Sequence, residues 1–156
     1  MQGKGRGLVA TRPIRAQETI LLDTAALTGP PMVTSPVCPS CLVTMSTPLL
    51  PCTRGSLPVC SLLCQESKAH KQECKLLEDN RVKVNISNCE DVNSIYAFIL
   101  PYRLLMMRKD GGDGWNRVAS LMDHIQERVG LGEWDMNQKD VVNFIRRRCF
   151  MGKVGF

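Results

Sequence analysis

Aromatic side chains are scarce in this sequence, since two Trp, two Tyr and four Phe make up only 5% of its 156 residues. A large core would therefore depend on Leu, Val, Ile and Met. No stretch approaches the roughly 20 apolar residues that span a bilayer. Residues 1–15 also lack the apolar stretch of a secretory signal. We therefore expect an intracellular protein, in the cytoplasm or the nucleus, with no membrane partner.

Acidic side chains are missing from both ends of the chain, although the formal net charge is only +5. Residues 1–15 and 141–156 carry Lys and Arg alone, and every Asp and Glu lies between them. A protein that binds nucleic acid more often shows a basic stripe with interleaved aromatic residues. We therefore expect two solvated basic ends and no nucleic-acid partner. The alternative, DNA binding through these ends, predicts an affinity that falls steeply with salt.

Cysteine, by contrast, is abundant, with eight residues. Disulfides are rare inside cells, so these cysteines are expected to be metal ligands or free thiols. Six of them and one histidine fall between residues 38 and 74, at spacings typical of zinc ligands. These seven residues are Cys38, Cys41, Cys52, Cys60, Cys64, His70 and Cys74.

The spacing sorts these ligands into two sets. Zinc takes four tetrahedral nitrogen or sulfur ligands in a structural site. A Cys-x2-Cys turn and a Cys-x3-Cys helical pair complete one site, and three ligands remain for a second, interleaved site. Seven prolines between residues 29 and 58 exclude a long helix or strand there, so a metal is expected to hold this segment. The first set is Cys38, Cys41, Cys60 and Cys64, and the second set is Cys52, His70 and Cys74.

Other interpretations use the same residues. The cysteines could be buried thiols without a metal, and His70 could be a surface histidine. A catalytic cysteine would need a histidine base and an orienting group, and nothing in the sequence singles out one cysteine for that role. Cys89 and Cys149 stand apart from the cluster and are expected to be buried or free thiols.

The chain on either side of the cysteines shows a strand-like and a helix-like region. Residues 7–11 and 19–23 have strand composition and flank a polar turn, which predicts a β-hairpin. Residues 60–78 are helix-compatible, as is the chain from Asp91 onward, and residues 115–129 show the apolar repeat of one amphipathic helix. The sequence thus predicts an α+β fold with a small β-hairpin, a metal-binding segment and a helical region.

The ligand pattern, with Pro58-Val-Cys60 and His70-Lys-x2-Cys74, resembles the MYND zinc finger. That family uses seven cysteines and one histidine to bind two interleaved zinc ions. The segment from Gly3 to Arg12, followed by Glu18-Thr-Ile-Leu, looks like the opening of a SET domain. Residues 99–146 look like the helical insertion that follows the finger. From residue 3 to about 149, this order resembles the SET and MYND domain-containing (SMYD-type) proteins, and their arthropod-like branch in particular.

The resemblance implies three parts and an activity. The parts are an N-terminal SET portion at 1–37, a MYND-type zinc finger at 38–74 and a helical SET-insertion region at 75–156. The activity is S-adenosylmethionine-dependent methylation of protein lysine, such as histone lysine. The family's cofactor lies against the glycine-rich entry, which here corresponds to Lys4, Gly5 and Arg6.

Two departures from the family pattern shape the predicted function. Gly55 stands where the family has a further cysteine ligand, so the second site has three protein donors and could bind zinc with a water molecule, bind it weakly or stay empty. The chain is therefore expected to bind one or two zinc ions. The Asn-His-Ser-Cys-type segment and the active-site tyrosine of the second SET half are also absent from the sequence. We therefore expect a fragment that is truncated before that half, and no catalytic residue is assigned.

The predicted function is that of a zinc-binding fragment that acts as a protein-interaction module. A proline-rich peptide is the expected partner, because such peptides are already extended and lose little entropy on docking. The alternative is a protein-lysine methyltransferase that is active when the missing SET half is present, with S-adenosylmethionine as cofactor and a lysine substrate.

Overall fold

The computed structural model describes residues 7–46, 52–53, 57–86, 92 and 94–148. Its regular secondary structure within these ranges is helical. The helices are α1 (Leu62–Gln65), α2 (Lys68–Asp79), α3 (Ile99–Asp110), α4 (Asp113–Ala119), α5 (Ile125–Arg128), α6 (Gly132–Asn137) and α7 (Asn143–Arg148). A 3-10 turn, Ser94–Phe98, leads directly into α3, and a π-helical segment, Gln138–Val142, joins α6 to α7. None of the described helices combines the length and the apolar composition needed to cross a membrane.

The predicted β-hairpin, and with it the α+β fold class, is wrong. The described ranges contain no strand, and the bridge between Val37 and Thr44 is isolated. Residues 7–11 and 19–23 leave their apolar side chains in solvent, with Leu8 90% and Leu22 92% exposed. A two-stranded hairpin is marginal in water unless one face packs, so strand composition alone was insufficient here.

The predicted continuous helix over residues 115–129 is also wrong, because the chain forms α4 and α5 with a break between them. The Ser120 hydroxyl donates to the Arg117 carbonyl at 2.8 Å, and the Asp123 carboxylate accepts from the Ile125 N–H at 3.2 Å. Such local side-chain bonds compete with the helical ladder. Three of the five apolar side chains of the repeat are exposed, so little packing opposes this break.

The hydrophobic core joins the cysteine-rich segment to the helical region. Phe98 is buried in this core, and its ring centroid lies 5.5 Å from that of Phe144 and 6.4 Å from that of Tyr102. Half of the eight aromatic residues therefore belong to this core or pack against it: Tyr96, Phe98, Tyr102 and Phe144. The division at 1–37, 38–74 and 75–156 stays a prediction, and the core draws on all three parts. Its buried residues are Val37, Leu57, Leu77, Tyr96, Ala97, Phe98, Ile99, Tyr102, Val141 and Ile145.

Candidate metal centre

The Cys-x2-Cys pair lies on a tight turn. The Cys38 N–H donates to the Val43 carbonyl at 2.9 Å, and the Cys38 carbonyl accepts from the Leu42 N–H at 2.8 Å. Leu42 adopts a left-handed backbone with φ of 64°, which closes the turn. Cys38 is buried and Cys41 is exposed, so the turn presents one sulfur to the interior and one to the surface.

Two serine caps fix the helical ligands. Ser61 precedes α1 and accepts from the Cys64 N–H, and Ser67 precedes α2 and accepts from the His70 N–H, both at 3.3 Å. Such caps satisfy N–H groups that a helix start leaves without a partner. Ser40, in the cysteine turn, lies 2.8 Å from both the Ser67 hydroxyl and the Cys64 carbonyl. Hydrogen bonds of the protein itself therefore hold the turn against both ligand-bearing helices.

The first metal group brings four sulfurs together. Its ligand atoms all lie within 4.8 Å of one another, and its members are Cys38, Cys41, Cys60 and Cys64. The Cys60 Sγ is 3.4 Å from that of Cys41 and 3.5 Å from that of Cys64. A disulfide bond is only about 2.05 Å long. In a tetrahedron with Zn–S bonds of about 2.3 Å, neighbouring sulfurs are roughly 3.8 Å apart. The four sulfurs are therefore spaced for a shared ion.

The electrostatics of this group favour a cation. Burial acts to raise the pKa of Cys38, but the backbone N–H groups of Cys60, Cys41 and Ser40 outweigh it and lower the pKa to about 7. The neighbouring thiols of Cys41 and Cys64 raise the pKa of Cys60 to about 12. Thiolates this close repel one another, and a divalent ion removes that repulsion while it displaces the protons.

The second metal group has three donors, Cys52, His70 and Cys74, whose ligand atoms also lie within 4.8 Å of one another. The Cys74 Sγ is 3.7 Å from the Cys52 Sγ and 3.2 Å from the His70 Nε2. His70 and Cys74 are one turn apart on α2 and share a face. All three donors are buried. Burial, opposed by the Leu57 N–H and reinforced by Cys52, raises the pKa of Cys74 to about 12.

The seven predicted ligands thus come together in the two predicted sets, and each set could hold a metal ion such as zinc. The donor chemistry fits that metal, because thiolate and imidazole are the ligands of structural zinc. That zinc is the ion, and that both sets bind it, stay predictions. Several other residues that the sequence singled out lie outside the described ranges, namely Lys4, Gly5, Arg6, Gly55, Cys89 and Cys149.

A buried ion pair beside the second group was not predicted. Glu73 precedes Cys74 on α2, and its Oε1 accepts from the Arg103 Nε at 2.5 Å. The same guanidinium donates to the carbonyls of Thr28 and Pro39, each at 2.8 Å. Burial raises the pKa of Glu73, and the Arg103 guanidinium opposes that rise. The Arg103 side chain of α3 therefore links α2, the cysteine turn and the N-terminal segment through ionic and hydrogen bonds.

Tyr96 holds the residue at which the chain enters the cysteine turn. Its hydroxyl accepts from the Val37 N–H at 3.2 Å and donates to the Val37 carbonyl at 3.1 Å, directly before Cys38. No sequence pattern links these residues, which are 59 positions apart. The serine caps, by contrast, could be predicted from the sequence. Ser61 and Ser67 each directly precede a helical stretch that carries ligands, which is the usual position of an N-cap.

No protein-family model matches the chain, and no curated protein and no solved structure matches it. The resemblance to MYND and SET proteins therefore rests on the quoted residues of the sequence, and the family stays a prediction. The geometry of the two metal groups stands independently of that resemblance.

Proposed function

We propose that this chain is a zinc-stabilised protein-interaction module of the MYND type. The observation that carries the proposal is the order of the ligands along the chain. Cys38 and Cys41 of the first group are followed by Cys52 of the second, and the two later pairs alternate in the same way. This interleaving supports two ions that cross-link one segment, because unrelated buried cysteines have no reason to sort into alternating, closely spaced sets.

The bound zinc ions would supply structural cross-links, since a site closed by protein ligands stabilises the fold. The first group offers four thiolates and forms a closed site. The second group offers three donors, and a water molecule would complete its tetrahedron. Three donors with a water also occur in catalytic zinc sites, but all three residues of this group are buried, which supports a structural role.

The cysteine turn and the start of α1 carry exposed apolar side chains, which we call the finger surface: Leu42, Val43, Leu62 and Leu63. The first two directly follow Cys41, and the other two lie between Cys60 and Cys64. Leu62 is 75% and Leu63 87% exposed. Exposed apolar clusters are typical of interaction sites. An ion in the first group would join the cysteine turn to the start of α1, so the metal would fix the two parts of the finger surface relative to each other.

A proline-rich peptide is the partner that we propose for this surface. Its polyproline II conformation is extended before binding, so little entropy is lost on docking, and proline rings match an apolar surface. The resemblance to MYND fingers supports the same partner class.

The test is binding of a proline-rich peptide array by the zinc-loaded protein, with a double variant of the finger surface, Leu62→Ser with Leu63→Ser. Removal of the two apolar contacts is expected to weaken binding about tenfold or more. The matched control is Leu121→Ser with Met122→Ser, an exposed apolar pair outside the finger, at 70% and 77% exposed. Equal losses in both variants, or binding that survives zinc removal by a chelator, would count against the proposal.

The methyltransferase alternative stays a prediction. The residues that it assigns to S-adenosylmethionine, Lys4, Gly5 and Arg6, lie outside the described ranges. Titration calorimetry of the purified chain with S-adenosylmethionine tests it, and a saturable heat would favour the enzyme over the interaction module.

A further inference from the structure

The metal group with more donors is also the more exposed of the two. The first group is complete, yet Cys41 and Cys60 are exposed and Cys64 is partly exposed. The second group has only three donors, yet none of them is more than 2% exposed. The number of ligands predicts that the second ion is the more weakly held. Exposure predicts that the first group is the one that dissolved reagents reach.

Each group also contains a close pair of sulfurs. The Sγ atoms of Cys41 and Cys60 are 3.4 Å apart, and those of Cys52 and Cys74 are 3.7 Å apart. Both separations are short enough for a small movement to close a disulfide bond of about 2.05 Å. Because the two distances are similar, access rather than separation decides which pair an oxidant modifies.

We infer that Cys41 and Cys60 form an oxidative modification site, at which a peroxide closes a disulfide and releases the first ion while the second group stays reduced. This inference rests on the proposed zinc binding. Cys41 is a better partner for Cys60 than Cys64 is, because Cys64 lies within α1 and is partly buried. Cys41 and Cys60 both lie outside the helices, so their backbone can adjust to the bond.

The reaction is a two-electron oxidation. One thiolate attacks a peroxide oxygen and becomes a sulfenic acid, and the O–O bond breaks to release hydroxide. The second thiolate then attacks the sulfenic sulfur, the S–S bond forms, and a second hydroxide leaves. The two hydroxides take up two protons and become water when the oxidant is hydrogen peroxide. Only Cys38 and Cys64 would then remain as thiolate ligands in the first group, which is too few to hold a zinc ion in a closed site.

The test is a hydrogen peroxide titration of the zinc-loaded chain, followed by native mass spectrometry and by peptide mapping after alkylation of the remaining thiols. The zinc count is expected to fall by one ion, in step with a peptide that links Cys41 to Cys60. Cys52 and Cys74 are expected to be alkylated only after the protein is denatured. A thiol reductant with added zinc should restore the original count.

Three other outcomes would overturn the inference. One is a disulfide between Cys52 and Cys74 that forms as early as the first, and another is parallel loss of all bound zinc. The third is zinc that stays bound while Cys41 and Cys60 remain reduced. A chain that binds no zinc before peroxide is added would instead refute the proposed function, and the inference with it, so the two failures are distinguishable.

Discussion

Arg103 and Glu73 form a buried ion pair between α3 and α2, with their side chains only 11% and 0% exposed. The second carboxylate oxygen of Glu73, Oε2, has no hydrogen-bond partner among the residues that the structure describes. The guanidinium is therefore the main compensation for a charge held away from water. It also reaches Pro39, in the cysteine turn, so the pair connects the helical region to both metal groups.

Replacement of Arg103 by methionine is expected to lower the free energy of unfolding by about 3–5 kcal/mol, because the Glu73 carboxylate would remain buried and uncompensated. Denaturant unfolding with saturating zinc measures this loss. The double variant, Arg103→Met with Glu73→Leu, should recover part of it, since no charge is then buried. A double variant as unstable as the single one would show that the hydrogen bonds to Thr28 and Pro39, rather than the charge, are what matters.

Replacement of Tyr96 by phenylalanine is expected to destabilise the protein by about 1–3 kcal/mol, because the buried N–H and carbonyl of Val37 both lose a partner. Tyr102→Phe is the matched control. Its hydroxyl donates to the Gln72 carbonyl at 3.5 Å, at the limit of a hydrogen bond, so a smaller loss is expected. Thermal unfolding of the two variants compares them directly, and equal losses would contradict this account of the cysteine turn.

Replacement of Ser67 by alanine is expected to cost about 0.5–2 kcal/mol, through loss of the cap at the start of α2 and of the contact with the Ser40 hydroxyl. His70 lies in the first turn of that helix, so the zinc affinity of the second group should fall as well. Competition with a chromophoric chelator measures the affinity. Ser120→Ala is the control, since its exposed hydroxyl bonds only locally and should matter by less than about 0.5 kcal/mol.

Replacement of Leu77 by alanine is expected to cost about 2–5 kcal/mol, because Leu77 is fully buried in the same core as Phe98. Leu63→Ala, on the exposed finger surface, should change stability by less than about 0.5 kcal/mol. Urea unfolding of both variants checks this contrast. A large loss in Leu63→Ala would mean that the finger surface is covered in the folded chain.

The candidate site was largely predictable because its determinants are local. The spacing of Cys38 and Cys41 requires only a turn, and the four-residue spacing of His70 and Cys74 requires only one turn of helix. The sequence even predicted which ligands share a set, and the structure brings those same sets together.

The rest of the fold was less predictable because it depends on contacts distant in sequence. Residues 7–11 have strand composition, but no described surface packs against them, and the predicted hairpin is wrong. Glu73 and Arg103 are 30 positions apart and lie on different helices. Nothing in the residue types predicts that these two side chains form a pair. The break after α4 is favoured because Met122, Ile125 and Val129 of the apolar repeat are exposed and gain little from packing.

Zinc stoichiometry by native mass spectrometry tests the central claim most directly, on the purified chain and on the variants Cys38→Ser and His70→Ala. Two interleaved groups predict two zinc ions in the natural chain and one in each variant, because each substitution removes a ligand of a different group. One ion that is lost with Cys38→Ser and kept with His70→Ala would contradict zinc binding by Cys52, His70 and Cys74. No bound zinc in the natural chain would contradict the account as a whole.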